Sequence, residues 1–250
     1  MSERDAGTLP ILGARTDRIA SRALVVGDPH RVAMATQHLD DVEEVGHVRE
    51  YVTCTGRFEG VEVTVSSHGV GAGGAGVCFE ELGRAGVTRL IRAGTCGGLQ
   101  PDVVDGDLVV GTAAVRDDGL SERLAPLAWP ATADPTLTLT LASSATTSSR
   151  TTHTGVVYTS AGFYPNPDDA EERWRPYHRL GALAIEMEFA PMLVIAQRHG
   201  IAASGIFAVD GNLLHAEADM SDYDPDRAIV TEAKAAMIPA ALTALVADAR

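Results

Sequence analysis

Apolar residues along this 250-residue chain fall in short runs separated by turn formers, a rhythm that predicts strands alternating with helices. Arg22 to Val26 reads as a strand that ends at Gly27-Asp28-Pro29-His30-Arg31, and a helix is predicted over Val32 to Leu39 with Pro29 near its start. Tyr51 to Thr55 and Val61 to Ser66 read as two strands across a turn at 56–60, and the glycine-rich loop 68–74 opens a helix over about 75–85. Leu90, Ile91 and Ala93 read as the end of a buried strand, beyond which Gly94, Gly97 and Gly98 leave the backbone bare. Further strands are predicted over 106–115, 155–160, 183–187 and 201–209. Helices are predicted after Pro135, over 168–178 and 189–198, and from Asp224-Pro225 onward with a kink at Pro239. Residues 117–152 carry loop signals around one helix and read as an excursion over the domain. The alternation implies an α/β fold: one domain over 1–250, with a mixed, mostly parallel sheet covered by helices on both faces.

Composition narrows the partners. With 45% apolar and 22% charged residues the chain can bury one sizeable core. Its net charge is −14, and its basic residues are arginines apart from Lys234, with no basic block to neutralise a nucleic acid or an anionic membrane. Any phosphate it binds must therefore be small and held by a few placed arginines. The three cysteines lack CxxC spacing, so neither a disulfide framework nor a metal site is expected. The N-terminus shows no basic-then-apolar signal pattern and no apolar run reaches membrane-spanning length, which makes the cytoplasm the expected compartment.

The candidate chemistry gathers at the ends of the predicted strands, where α/β folds place their sites. Arg92 lies inside an apolar run and needs an anionic partner. That partner is either an internal carboxylate or a bound oxyanion approached through Gly94 and Thr95. Gly27 and Arg31 form a second anion-binding arrangement, with Arg49 as a further arginine. Glu188 has two acceptor oxygens for a vicinal diol, or forms a buried pair with Glu186. Phe163 offers a flat face for a base, or belongs to the core; Asp210 can protonate a heteroaromatic leaving group, or shapes the turn before Gly211. Taken together, these groups describe cleavage of a glycosidic bond by phosphate.

GDPHR at 27–31, VREYVTCTGRFEG at 48–60, SHGVG at 67–71, CFEELGRAGVTRLIRAGTCGG at 78–98, FYP at 163–165, AIEME at 184–188 and VDG at 209–211 resemble the nucleoside phosphorylase-I family, in its hexameric purine nucleoside and uridine phosphorylase branch. The resemblance runs from about residue 10 to the C-terminal helix. It implies a distorted, barrel-like sheet and a phosphate site from Gly27, Arg31, Arg92, Gly94 and Thr95, completed by Arg49 of a neighbouring subunit. It further implies ribose contacts from His68, Glu186, Met187 and Glu188, base contacts from Phe163, Tyr164 and Asp210, and a homohexamer built as a trimer of dimers. Inorganic phosphate is the implied co-substrate, with no metal or organic cofactor.

Departures from the family pattern set the expected substrate. The positions matching the uracil-reading Gln and Arg of uridine phosphorylases are Pro167 and Asp169, which cannot reproduce that pair, whereas the Asp of the purine enzymes is present as Asp210. Where bacterial purine enzymes carry an Arg partner to this Asp, the chain has Tyr223, with Arg227 one helical turn on. Ile11 stands where the family places a His that contacts the 5′-hydroxyl, so tolerance of nucleosides modified at that carbon is expected. The expected activity is phosphorolysis of purine (2′-deoxy)ribonucleosides, a purine-salvage reaction. Uridine phosphorolysis is the alternative, and a hydrolase of the same fold or a non-catalytic nucleoside-binding protein are the more distant ones.

Overall fold

The apolar run Ala23-Leu24-Val25-Val26 is fully buried, as expected of a strand with neighbours on both sides and helices on both faces. It forms β1 (Arg22–Val26) at the centre of one mixed sheet. The computed structural model describes residues 7–164, 170–215 and 223–249. Beyond β1 the chain runs through α1 (Pro29–Thr36), β2 (Asp40–Val48), β3 (Tyr51–Phe58), β4 (Val61–Ser67), α2 (Ala72–Arg84), β5 (Arg89–Gly98), β6 (Leu108–Asp117), α3 (Ser121–Leu124), β7 (Ala131–Thr132) and α4 (Pro135–Ala145). It continues through β8 (Thr152–Ser160), α5 (Ala170–Arg179), β9 (Ala184–Glu186), α6 (Phe189–His199), β10 (Ala202–Asn212) and α7 (Ala228–Val246).

The strand order is β10-β6-β8-β9-β5-β1-β4-β3-β2, and β10 also pairs with β5. That second pairing closes β5, β10, β6, β8 and β9 into a barrel-like ring, from which β1, β4, β3 and β2 extend as an open wing. Side chains alternate along β1 and β5: Val25 and Leu90 enter one apolar cluster with α2 and α6, while Leu24, Val26 and Ile91 enter another with α4 and α7. α7 is apolar and long enough to cross a membrane by length and composition, but it packs on α4, β10 and β5 and much of it is buried. It continues as one helix through Pro239.

Several elements differ from the pattern reading, and for three of them the physical reason is plain. α1 begins at Pro29, three residues early, because the Asp28 carboxylate accepts the His30 N–H at 2.8 Å and Pro29 takes the first helical position, where a missing N–H costs nothing. β5 does not stop at Ala93 but runs on through Gly98, paired with β10 and, at its end, β9. Its glycines are there for close approach: a Cβ on Gly97 would meet the Leu213 side chain at 2.5 Å, and one on Gly98 the Val103 carbonyl at 2.5 Å. β2 lies outside the pattern reading altogether, because its sequence, DDVEEVGHV, has no apolar face to betray a strand; it is an exposed edge with two register shifts.

Candidate active site

The ends of β1, β4, β5, β8, β9 and β10 converge on one cavity of about 1520 Å³. At one side the β1–α1 turn presents Gly27 and Arg31, whose guanidinium lies over Gly27. Arg31 Nη1 is buried and has no hydrogen-bond partner, and the same holds for Arg92 Nη1. Two guanidinium groups line one cavity, Arg31 with a free donor and Arg92 with its Nη1 in ion-pair range of Glu186, and burial together with the neighbouring Arg92 pushes Arg31 below its usual range. Repulsion of that kind is relieved by an anion between them.

Arg92 is held from several directions. Its Nη1 lies 3.2 Å from Glu186 Oε2, its Nη2 pairs with Glu188, and its guanidinium sits over the Phe207 ring at 5.2 Å. Its Nε points at His68 Nε2, 3.3 Å away. The other imidazole nitrogen, Nδ1, lies 2.8 Å from the Gly69 carbonyl, which can only accept, so Nδ1 carries the proton and Nε2 is free to accept from Arg92. Burial, with Arg92 adding to it, drives His68 well below the usual histidine range, in keeping with a neutral ring.

This placement corrects the expected ribose contact from His68: the ring is fully buried behind Arg92, edge-on to Phe79, and does not line the cavity. Gly94 likewise lies off the cavity lining, and what it supplies is the space that the Arg92 guanidinium occupies.

The two glutamates divide the work. Glu186 Oε2 accepts the N–H groups of Glu188 and Phe189 at 2.8 Å each, and Oε1 accepts the Thr159 hydroxyl at 2.5 Å, so this side chain is fully engaged in fixing the start of α6. Burial, with Glu188 close by, pushes its carboxyl upward against the pull of Arg92. Glu188 precedes the first residue of α6, accepts the Gly71 N–H at 2.6 Å, and lines the cavity beside Met187. Thr159 escaped the sequence reading because a threonine inside a strand carries no signal of its own.

Asp210 owes its position to a register shift. Val209 pairs with Cys96 and Gly211 with Gly97, which leaves Asp210 as the extra residue of a bulge in β10. A bulge re-aims one side chain out of the strand's alternation, and here it turns a carboxyl into the cavity. Only 5% of Asp210 is exposed, and burial raises its pKa despite the hydrogen bond from Tyr223 and the nearby Thr95, which both pull it down. Tyr223 Oη donates to Asp210 Oδ2 at 2.9 Å, and Arg227 Nη2 donates to the Asp210 backbone carbonyl at 2.7 Å. The position with Arg spacing thus touches the carboxyl as a tyrosine, and the arginine further on reaches only the main chain.

Phe163 and Tyr164 line the cavity and are 39% and 78% exposed, so neither is a core residue. Phe163 is edge-on to Tyr223, with ring centroids 5.3 Å apart. Thr95 lines the same cavity. Arg49 does not: it stands exposed at the β2–β3 turn with a left-handed φ of 55°. Ile11 also lies off the cavity, half-buried, its N–H bound to Glu81. Pro167 and Asp169 fall outside the described residues.

The phosphorylase superfamily model matches residues 21–246, nearly the whole of the region that builds this cavity. The chain belongs to the phosphorylase superfamily. Among characterised relatives, it is 36% identical to the guanosine phosphorylase of Halorubrum lacusprofundi over 209 residues, covering 82% of this chain and 86% of that protein. It is 32% identical to the uridine phosphorylase of Treponema pallidum over 229 residues, covering 87% and 89% of the two chains. The crystal structure of Toxoplasma gondii purine nucleoside phosphorylase in complex with immucillin-H superposes with a TM-score of 0.88 at 31% identity, covering 96% of each chain. Superfamily members named for purine and for pyrimidine nucleosides thus resemble this chain to a similar degree.

Proposed function

We propose that this protein is a purine nucleoside phosphorylase, a pentosyltransferase that splits purine (2′-deoxy)ribonucleosides with inorganic phosphate into free base and (deoxy)ribose 1-phosphate. The observation that carries the reading is one cavity lined by Arg31, whose buried Nη1 has no hydrogen-bond partner, by the Arg92 guanidinium, by Glu188, and by a buried Asp210 whose pKa is raised by that burial. Phosphorolysis requires an anion site, a diol acceptor and an acid for the leaving base, and these residue types supply all three.

In this reading Arg31 and Arg92, with Gly27 and Thr95, hold phosphate, and Arg49 reaches it from a neighbouring subunit of a homo-oligomer. Met187 and Glu188 hold the ribose, and Phe163 with Tyr164 packs against the base. As the bond from sugar to base lengthens, positive charge grows on the sugar and the bound phosphate stabilises it electrostatically before attacking the anomeric carbon. The electron pair of the broken bond goes to the base, and the Asp210 proton goes to a ring nitrogen of it. Aid from a general acid of this kind is worth roughly 10²–10⁴ in rate. Phosphate is the only co-substrate invoked. The apolar Ile11, off its own chain's cavity but at the position where the family places a His reaching in from the neighbouring subunit, supports a finer point: with no polar side chain from there for a 5′-hydroxyl, nucleosides modified at the 5′ carbon are accepted.

A nucleoside screen read by chromatography, with and without phosphate, tests the proposal. Inosine, guanosine or adenosine should be cleaved only when phosphate is present, and faster than uridine. Faster cleavage of uridine would overturn the purine assignment, and cleavage independent of phosphate would indicate a hydrolase. In the same assay 5′-deoxyadenosine should keep kcat/KM within about tenfold of adenosine; a larger loss, above about 1.4 kcal/mol of transition-state binding, would mean that the 5′-hydroxyl is recognised.

A further inference from the structure

We infer that Tyr223 is the positioning residue for the general acid: its hydroxyl holds the Asp210 carboxyl and stabilises the charge left there after proton transfer, while its ring steadies Phe163 at the base. The inference rests on the phosphorolysis reading above and adds to it a residue whose side chain joins the acid to the base platform.

The geometry is direct. One side chain makes both contacts, with Oη 2.9 Å from Asp210 Oδ2 and the ring edge-on to Phe163 at a centroid distance of 5.3 Å and an interplanar angle of 66°. Burial and the adjacent carboxyl both push the phenol upward, so it keeps its proton and is the donor in this bond. The segment that carries it is pinned by Arg227, which donates to the carbonyls of Asp210 and Asp224 and pairs with Asp105. Of the other groups near Asp210, Thr95 on β5 favours the carboxylate, Arg31 on α1 and Lys234 on α7 act through charge, and Cys96 on β5 sits nearby as a neutral thiol raised by burial. A purely apolar pocket would keep Asp210 protonated but make it a reluctant donor. A phenol bound to Oδ2 favours the carboxylate that remains once the proton has gone to the base.

Tyr223→Phe removes the hydroxyl and keeps the ring, and Tyr223→Ala removes both. With inosine and phosphate, the Phe variant should lose about tenfold or more in kcat at neutral pH, since a hydrogen bond to a charged group is lost. Without that donor the Asp210 carboxyl holds its proton more tightly, so the alkaline limb of the kcat profile should move up by about one pH unit. The KM for phosphate should not change. With 7-methylguanosine, whose quaternised base departs without taking a proton, the Phe variant should match the unmodified enzyme. The Ala variant should raise the nucleoside KM above that of the Phe variant with both substrates. Equal losses for the Phe variant on the two nucleosides, or an alkaline limb that stays in place, would overturn the inference while the phosphorolysis reading stands. An unmodified protein inactive on both nucleosides with phosphate would overturn that reading, and this inference with it.

Discussion

A carboxyl that donates a proton near neutral pH must first have a reason to keep it, and for Asp210 that reason is burial. Asp210→Asn preserves the shape and the acceptor for Tyr223 but has no acidic proton. Steady-state kinetics should show kcat for inosine reduced at least tenfold with the KM for phosphate unchanged; full turnover would remove Asp210 from the chemistry. The same burial bears on stability. Because the folded-state pKa lies above the unfolded value, the folded protein binds the proton more tightly, and stability falls as pH rises from the unfolded pKa through the folded one. The Asn variant escapes this loss. Melting curves should show it more stable than the parent at neutral pH, with the difference shrinking as pH falls and vanishing only below about pH 3, where both states of the parent are protonated. At this scale residue identity was readable from sequence and residue duty was not: Arg92 does find internal carboxylates and also faces the cavity, while His68, from the motif at 67–71, is buried behind Arg92.

Among the elements, α6 shows how packing sets chemistry. Phe189, the first residue of this helix, lies against Gly111 of β6 and Gly205 of β10, which are direct cross-strand partners. It also meets Phe207 edge-on at 5.3 Å, and Phe207 in turn carries the Arg92 guanidinium over its ring. The glycine pair is thus a notch that seats α6 and, through it, the Glu188 just ahead. A Cβ on Gly205 would lie 2.7 Å from the Phe189 ring, too close for either to remain in place. Gly205→Ala should destabilise the fold by about 1–3 kcal/mol and lower kcat/KM for the nucleoside more than it raises the KM for phosphate. Denaturant unfolding and paired kinetics would check it, and a variant of parental stability would show that the helix can shift without cost. Most strand and helix identities followed from hydrophobic spacing, yet β2, with no apolar face, and the extension of β5 through Gly98 did not, because a glycine run carries no local signal to separate a turn from a strand crowded by neighbours.

For the whole molecule, the question is whether one chain makes a complete site. Arg49 stands exposed on a turn, away from the cavity of its own chain. We propose that it completes the phosphate site of an adjacent subunit. Arg49→Ala should then raise the KM for phosphate about tenfold or more while leaving each chain folded, since its side chain lies on the surface. Mixing it with an Arg31→Ala protein under conditions that exchange subunits should restore activity at sites assembled from one intact half of each; the absence of any recovery would place Arg49 outside the phosphate site.

Some of this protein was present in the order of its residues. Alternating apolar runs are enough to specify strands and helices, because period and burial are linked by backbone geometry alone, and the seven motifs together marked the family. Charge and composition were likewise readable, since they do not depend on where a side chain points. Closure was different. The pairing of β10 with β5 that turns the sheet into a ring, the bulge that aims Asp210, the contact between Tyr223 and that carboxyl across 13 positions of chain, and the burial that sets the protonation of Asp210 and His68 all arise from residues distant in sequence. Such contacts form only when long loops close and water is expelled, so the folded structure alone decides them.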